Sequence, residues 1–221
     1  SFSFKEPLIG RKQVEHEREN IFLRQLKESI KVVRNNPRIG SLIIFTEIIL
    51  TFTTCIFFYL QNFLKGKGCN EAVIGVIYAA TFITAALTAP QVHRLEKVIK
   101  EQGILLLAPF ATVVCLWGIA ISKYHFVFFI ALMAAEEVVY VAINDYINRM
   151  IPSENRATIL SFSSMIFSFF MIIVFPVVGM LGDRYSLNFA IKCLGGAGIV
   201  FLLINSVLLL KQGRKSRVKI R

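Results

Sequence analysis

Six long apolar stretches alternate with short polar connections over residues 39–210 of this 221-residue chain. Each stretch holds about 20 residues, which is the length of helix that crosses a hydrocarbon core of about 30 Å. None of them shows the alternating pattern of a barrel strand. The pattern therefore predicts an all-α membrane protein with six transmembrane helices, at about 39–64, 71–92, 103–122, 124–147, 157–182 and 188–210. Short connections predict antiparallel neighbours in one bundle.

The two ends of the chain differ from the bundle in being polar and basic. Within residues 1–38, Ile21, Leu26, Ile30 and Val33 recur at helical spacing, which predicts an amphipathic helix on a membrane surface. A solvated linker is the alternative for this segment. The tail at 211–221, "KQGRKSRVKIR", is predicted to attach to lipid headgroups at the inner leaflet.

The positive charge follows membrane topology. With the N-terminus placed inside, 20 of the 25 Lys and Arg residues fall in inner segments, so both termini are predicted to be cytoplasmic. This distribution explains the net charge of +11 without nucleic acid. We expect a multi-pass plasma-membrane protein in contact with the lipid bilayer. The four cysteines lack paired spacing and lie in or beside apolar runs, so no metal or cofactor site is predicted.

Acidic residues inside the apolar stretches are the candidate functional groups. An acid at the bilayer centre costs roughly 2.5–3.5 kcal/mol, so it is expected to face protein or water. At about 100° per residue, Glu47 of the first span and Glu137 of the fourth each lie on a polar stripe of their helix, and Glu136 lies about 100° to one side of the latter stripe. The residues predicted to bind substrate or a proton are Glu137, Glu136, Glu47, Tyr140, Asn144, Thr51 and Thr54. For the threonines, simple helix contacts are the alternative.

A short repeat relates the two halves of the bundle. The second span ends on "PQVHRLEK" and the fifth on "PVVGMLGDR", and both run Pro-x-Val-x-x-Leu before an acidic and a basic residue. By the span count, the first lies inside and the second outside. This arrangement predicts two inverted three-helix repeats.

Three quoted segments carry a family resemblance. The segment "NDYINRMIPSENRATILSFSSM" is similar to the loop between helices ten and eleven of many bacterial transporters of the major facilitator superfamily. In the same way, "PVVGMLGDRYSL" is similar to the end of helix eleven, and "CIFFYLQNFLKGKG" to the end of helix seven. The chain thus resembles the C-terminal half of such a transporter, with residues 1–38 as the central cytoplasmic loop.

The resemblance implies transport of a small-molecule substrate by alternating access between two six-helix halves. The partner would be the N-terminal half of the same transporter. The first, second, fourth and fifth spans would face the central cavity, and the third and sixth would face lipid. Asp145 and Arg149, four residues apart, are expected to pair near the inner surface. With Arg156 of the same loop, they are the candidate gating or structural residues.

Other classes of function fit less well. An enzyme is not expected, because the sequence shows no nucleophile–base pair, metal-ligand cluster or phosphate loop. A channel would need a filter-like segment. A non-transporting six-helix scaffold or regulatory subunit remains the alternative. Because the chain begins without Met, we also expect an upstream segment to be missing. Proton coupling is a possibility that the membrane carboxylates raise.

Overall fold

The structure is a computed structural model that describes residues 27, 30, 31 and 33–218, with side chains up to 208. The predicted surface helix within residues 1–38 lies largely outside this part, as do the side chains of the basic tail. All regular structure in the described part is helical. The long helices are α1 (Pro37–Gly66), α2 (Glu71–Thr88), α3 (Val92–Ile121), α4 (His125–Met150), α5 (Arg156–Arg184) and α6 (Leu187–Val218).

Five segments of the described part are long and apolar enough to cross a membrane. One of them, Glu71–Ile121, joins α2 and α3 through a short 3-10 helix at Ala89–Gln91. Its 51 residues would extend about 77 Å as one straight helix, more than twice the bilayer core. The backbone breaks within it at Lys100, where φ is 57°. The all-helical membrane class is confirmed, whereas six spans in two inverted repeats stay a prediction.

Local sequence explains where the first helices begin and end. Proline is favoured in the first turn of a helix, and α1 begins at Pro37. Gly68 then takes a positive φ of 85°, which glycine adopts without a steric cost, and turns the chain toward α2. The Asn70 side chain accepts a hydrogen bond from the Val73 amide at 2.8 Å and caps α2.

Ion pairs and hydrogen bonds fix the directions of the helices. Arg38 at the start of α1 pairs with Glu101 of α3 at 2.5 Å. We call this end of the bundle, where Arg38, Arg149 and Arg156 lie, the basic end. The last turn of α4 also lies here, because Arg149 is 3.6 Å from Glu96.

At the opposite end, the end of α1 meets the start of α2 through the 2.8 Å pair of Lys65 with Glu71. The Asn188 amide at the start of α6 donates to the Ala120 carbonyl near the end of α3, at 2.7 Å. Consecutive helices therefore run antiparallel, as the short connections predicted.

Two apolar clusters form the core, one toward each end. The cluster at the basic end contains Ile43, Ile104 and Ile143, and the other contains Leu60 and Leu116. Within the bundle, α3 packs mainly against α4 and α6, and α1 packs against α5 and α4.

Helix α5 is much less covered than the others. Only 6% of the most apolar 18-residue stretch of α5 is buried, against 61% of the corresponding stretch of α1. Ile172 on this helix is 74% exposed and Met180 is 60% exposed. Lipid or another protein segment must cover this apolar surface in the membrane.

Candidate functional site

Two cavities open between the helices that carry the acidic residues. The first cavity, of about 250 Å³, lies between α1, α2 and α4. Its polar lining consists of Glu136 and Glu137 from α4, Thr54 from α1 and Thr81 from α2. Aromatic and other apolar side chains, including Phe57, complete the wall. Among the residues that the structure describes, no Lys, Arg or His lines this cavity, so its acids have no basic partner in the described lining.

The second cavity, of about 220 Å³, lies between α1, α4 and α5. It is lined by Glu47 from α1 and by Tyr140 and Asn144 from α4. The residues of the polar stripe predicted on α4 are therefore divided between the two cavities. Glu137 lines the first cavity, and Tyr140 and Asn144 line the second.

The two cavities follow one another along the bundle. On α1, Glu47 and Thr54 are seven residues apart, and on α4 Glu137 and Asn144 are also seven apart. Seven residues of helix rise about 10 Å, about a third of the hydrocarbon core. Because α1 starts at the basic end, the second cavity is the one nearer to that end.

Glu47 is held by a contact between distant parts of the chain. The Ser163 hydroxyl on α5 donates to Glu47 Oε1 at 2.5 Å. Glu47 is only 6% exposed, and its neighbour Thr46 is 5% exposed. The Thr46 hydroxyl lines the same cavity and has no hydrogen-bond partner among the described residues.

Thr51 has a different environment from the other predicted site residues. Its hydroxyl donates to the Glu47 carbonyl one turn earlier, at 2.6 Å. It is 1% exposed and lines neither cavity.

The predicted pair of Asp145 and Arg149 is present at the basic end. Arg149 also lies near Glu96, which is in turn 3.5 Å from His93. Arg156 donates to the Asn148 carbonyl at 3.2 Å and fastens the start of α5 to α4.

His93, Glu96 and Asp145 could each offer one ligand atom to a metal, since those atoms lie within 4.8 Å of one another. The Arg149 guanidinium already pairs with both carboxylates. Because the protein supplies the positive charge itself, this cluster is better suited to joining α4 to α3 than to holding a metal ion.

Sequence reasoning missed Thr46, Ser163 and Glu96. Ser163 lies about 100° around α5 from Ser164, which also lines the second cavity. No local signal shows that Ser163 faces α1, because its partner is 116 positions away. The adjacency of Thr46 to Glu47 was the one sequence signal available for Thr46.

The helices and cavities define a class: a multi-pass helical membrane protein with carboxylates that line polar cavities between its helices. The model of the Major Facilitator Superfamily matches residues 4–168. The chain belongs to this superfamily, which confirms the resemblance seen in the loop between α4 and α5. The match begins in the polar N-terminal segment and ends within α5.

A curated relative agrees with the family. Over 187 residues the chain is 25% identical to an uncharacterized MFS-type transporter, YxaM, of Bacillus subtilis (strain 168). The match covers 83% of this chain and 46% of that protein, so the chain spans about half the length of the curated relative it matches. No solved structure matches the chain significantly.

Proposed function

We propose that this chain is the C-terminal half of a secondary active transporter that moves a small solute across the plasma membrane by alternating access. The observation that carries the proposal is the superfamily match, together with coverage of only 46% of the matched relative. In this proposal the division is residues 1–38 as the central loop, six spans within 39–210 as two inverted repeats, and 211–221 as a tail. Both termini are cytoplasmic, so the basic end faces the cytoplasm.

Two features of the bundle support the proposal that a second six-helix half packs against it. Both cavities lie at the surfaces of α1, α2, α4 and α5, and neither is lined by α3 or α6. The apolar surface of α5 is also left largely uncovered. A second six-helix unit on this side would close the cavities into one central site and cover α5. This is a geometry in which polar groups near the midplane bind a solute.

We assign the coupling or cation-binding role to Glu137. It lies about thirteen residues, or about 20 Å, along the span from Tyr124, which is close to the midplane for a tilted helix. It lines the first cavity, whose described lining contains no basic residue to balance its charge. A carboxylate in that position can bind a proton or the positive group of a solute and release it when the cavity opens to the other side. Glu136 is assigned a lesser part because it lies about 100° around the helix from the stripe of Glu137, Tyr140 and Asn144.

The test of this role uses the complete transporter in proteoliposomes. Glu137→Gln keeps the shape of the side chain and removes its titration and its charge. We expect the pH dependence of transport to be lost while folding, judged by thermal unfolding, is retained. Glu136→Gln is the matched control and should have the milder effect. An unchanged rate and pH profile in Glu137→Gln would show that the residue is only a tolerated polar contact.

The proposal also predicts that one half is not sufficient. The 221-residue chain alone in liposomes should give no solute flux, and co-expression with the N-terminal half should restore it. Flux by the isolated chain, with no dimer detected by crosslinking, would refute the two-half proposal. Correct membrane insertion without flux from the assembled pair would instead favour the scaffold or regulatory alternative.

A further inference from the structure

The second cavity has a buried hydroxyl that nothing in the described structure satisfies. Thr46 lines the cavity and is 5% exposed as a whole residue. Its Oγ1 atom is buried and lacks a hydrogen-bond partner among the described residues. On α1 other buried hydroxyls, such as those of Thr51 and Thr53, bond to carbonyls of their own helix. A buried polar group without a partner is costly, so an occupant of the cavity is expected to pair with Thr46.

The same cavity has an unbalanced negative charge. Glu47 is 6% exposed and its only hydrogen bond shown is the one from Ser163, whereas a carboxylate can accept about four. No Lys, Arg or His from the described part of the chain lines the cavity. Buried charges in proteins are normally paired. A positively charged occupant would therefore complete the site.

The remaining polar groups favour an occupant that donates hydrogen bonds. The Ser163 and Ser164 hydroxyls already donate, to Glu47 and to the Leu160 carbonyl, so both present lone pairs to the cavity. Asn144 adds an amide group. An ammonium group carries donors and no acceptor, which complements such a lining.

The apolar part of the wall argues for an organic cation over a bare metal ion. Leu50, Ile147, Leu160 and Phe167 line the cavity beside Glu47. Hydrocarbon side chains stabilise the carbon skeleton of a ligand by burying it from water, and they offer nothing to a small inorganic ion, which needs oxygen ligands all round.

We propose that the second cavity binds the ammonium group of an organic amine, with Glu47 as its counter-charge and Thr46 as a further acceptor. The inference rests on the proposed transport function and gives it a substrate class. It also divides the two acids between tasks. Glu47 holds the substrate's charge in the second cavity, and Glu137, about 10 Å away along the bundle, is left for coupling.

The test measures how strongly the cavity attracts an ammonium group, without knowledge of the natural substrate. Ser164→Cys is introduced into the complete transporter after its cysteines have been replaced, including Cys55, Cys69, Cys115 and Cys193. The rate of modification by aminoethyl methanethiosulfonate, which carries a primary ammonium, is divided by the rate with neutral methyl methanethiosulfonate. Ser168→Cys is the matched control, because Ser168 is also exposed and also donates to the carbonyl four residues earlier, yet lies outside the cavity lining.

We expect the ammonium-to-neutral ratio at position 164 to exceed that at position 168 by roughly tenfold, as a single nearby charge at an effective dielectric constant of about 20 allows. Glu47→Gln should remove the difference while retaining an acceptor for Ser163. Thr46→Val should reduce it partly. Equal ratios at the two positions, or a ratio unaffected by Glu47→Gln, would overturn the proposal.

A second arm separates an organic amine from an inorganic cation. The rate at which the neutral reagent modifies Ser164→Cys is measured in the presence of each candidate occupant. The candidates are 2-phenylethylammonium, its uncharged analogue 2-phenylethanol, and Na⁺ in exchange for K⁺. Protection by the ammonium compound alone supports the proposal. Protection by Na⁺ alone, or equally by the alcohol, refutes an amine site.

The outcomes also distinguish this inference from the transport function itself. The labelling ratio reports charge attraction in the cavity whether or not solute moves. A Glu47-dependent ratio in a protein that moves no amine or other solute would leave the site standing and remove the transport proposal. Measured transport without a Glu47-dependent labelling ratio would leave the transport proposal standing and remove the amine site.

Discussion

Gly118 of α3 provides a quantitative test of the packing between α3 and α4. A Cβ atom built at this position would lie 2.2 Å from Cδ1, 2.3 Å from Cγ and 2.5 Å from Cε1 of the Phe128 ring. Carbon atoms in contact are normally about 3.5–4.0 Å apart, so the ring would have to move by more than 1 Å. Gly118→Ala therefore forces α3 and α4 apart or drives the ring out of its position.

The expected cost follows from two opposing effects. Overpacking of this kind costs about 1–3 kcal/mol. Alanine in place of glycine gains about 1 kcal/mol in helix propensity. Gly196→Ala on α6 gains the same propensity, and its Cβ would meet no atom within 4 Å. The difference between the two variants isolates the clash, and we expect Gly118→Ala to be less stable than Gly196→Ala by about 1–3 kcal/mol.

Thermal unfolding of the purified protein in one detergent measures this difference. For a protein of 150–250 residues, 1 kcal/mol shifts Tm by about 2–4 °C. A double-mutant cycle with Phe128→Ala identifies the cause, because the penalty of Gly118→Ala should disappear once the ring is gone. Equal Tm values for Gly118→Ala and Gly196→Ala, or a penalty that persists without the ring, would refute the close approach of these helices.

Two further predictions concern a contact between helices and the topology. The Tyr59 hydroxyl on α1 donates to the Phe175 carbonyl on α5 at 3.1 Å, so Tyr59→Phe should cost about 0.5–1.5 kcal/mol in unfolding free energy. Tyr185→Phe, at an exposed site, should cost almost nothing, and equal losses would argue against the contact. Cys69, in the connection between α1 and α2, should react with a membrane-impermeant thiol reagent outside intact cells, whereas buried Cys55 should not. Reaction of Cys69 only after permeabilisation would reverse the proposed orientation.

The helices were largely predictable because a membrane leaves the backbone little choice. Polar backbone groups inside lipid must bond within their own segment, so each long apolar run becomes a helix. The fourth stretch was predicted at 124–147 and is found at His125–Met150, and the fifth was predicted at 157–182 and is found at Arg156–Arg184. The third stretch was predicted from residue 103, whereas α3 begins at Val92 and its backbone breaks at Lys100, just before the apolar part. Its first residues are polar, and hydropathy alone does not distinguish a polar helix from a loop.

Local sequence was enough to identify the polar residues that have to be protected from lipid. The cost of a charge in hydrocarbon singled out Glu47, Glu136 and Glu137, and helical periodicity placed Tyr140 and Asn144 with Glu137 on one stripe of α4. Both inferences need only the identity of the side chain and its position along one helix. The same local rules explain why the i,i+4 pair at the end of α4 was foreseen.

The neighbouring helix that each stripe faces depends on the packing of the whole bundle. Rotation and pairing of helices depend on how side chains from distant segments fit together, and no property of a single helix specifies them. Packing of α1 against α5 brought Ser163 to Glu47, left the Thr46 hydroxyl unpaired and divided one polar stripe into two cavities. Likewise, α3 was expected to face lipid, and it lines neither cavity, but it packs extensively against α4 and α6. Apolar side chains suit a protein neighbour as well as they suit lipid, so composition could not separate the two.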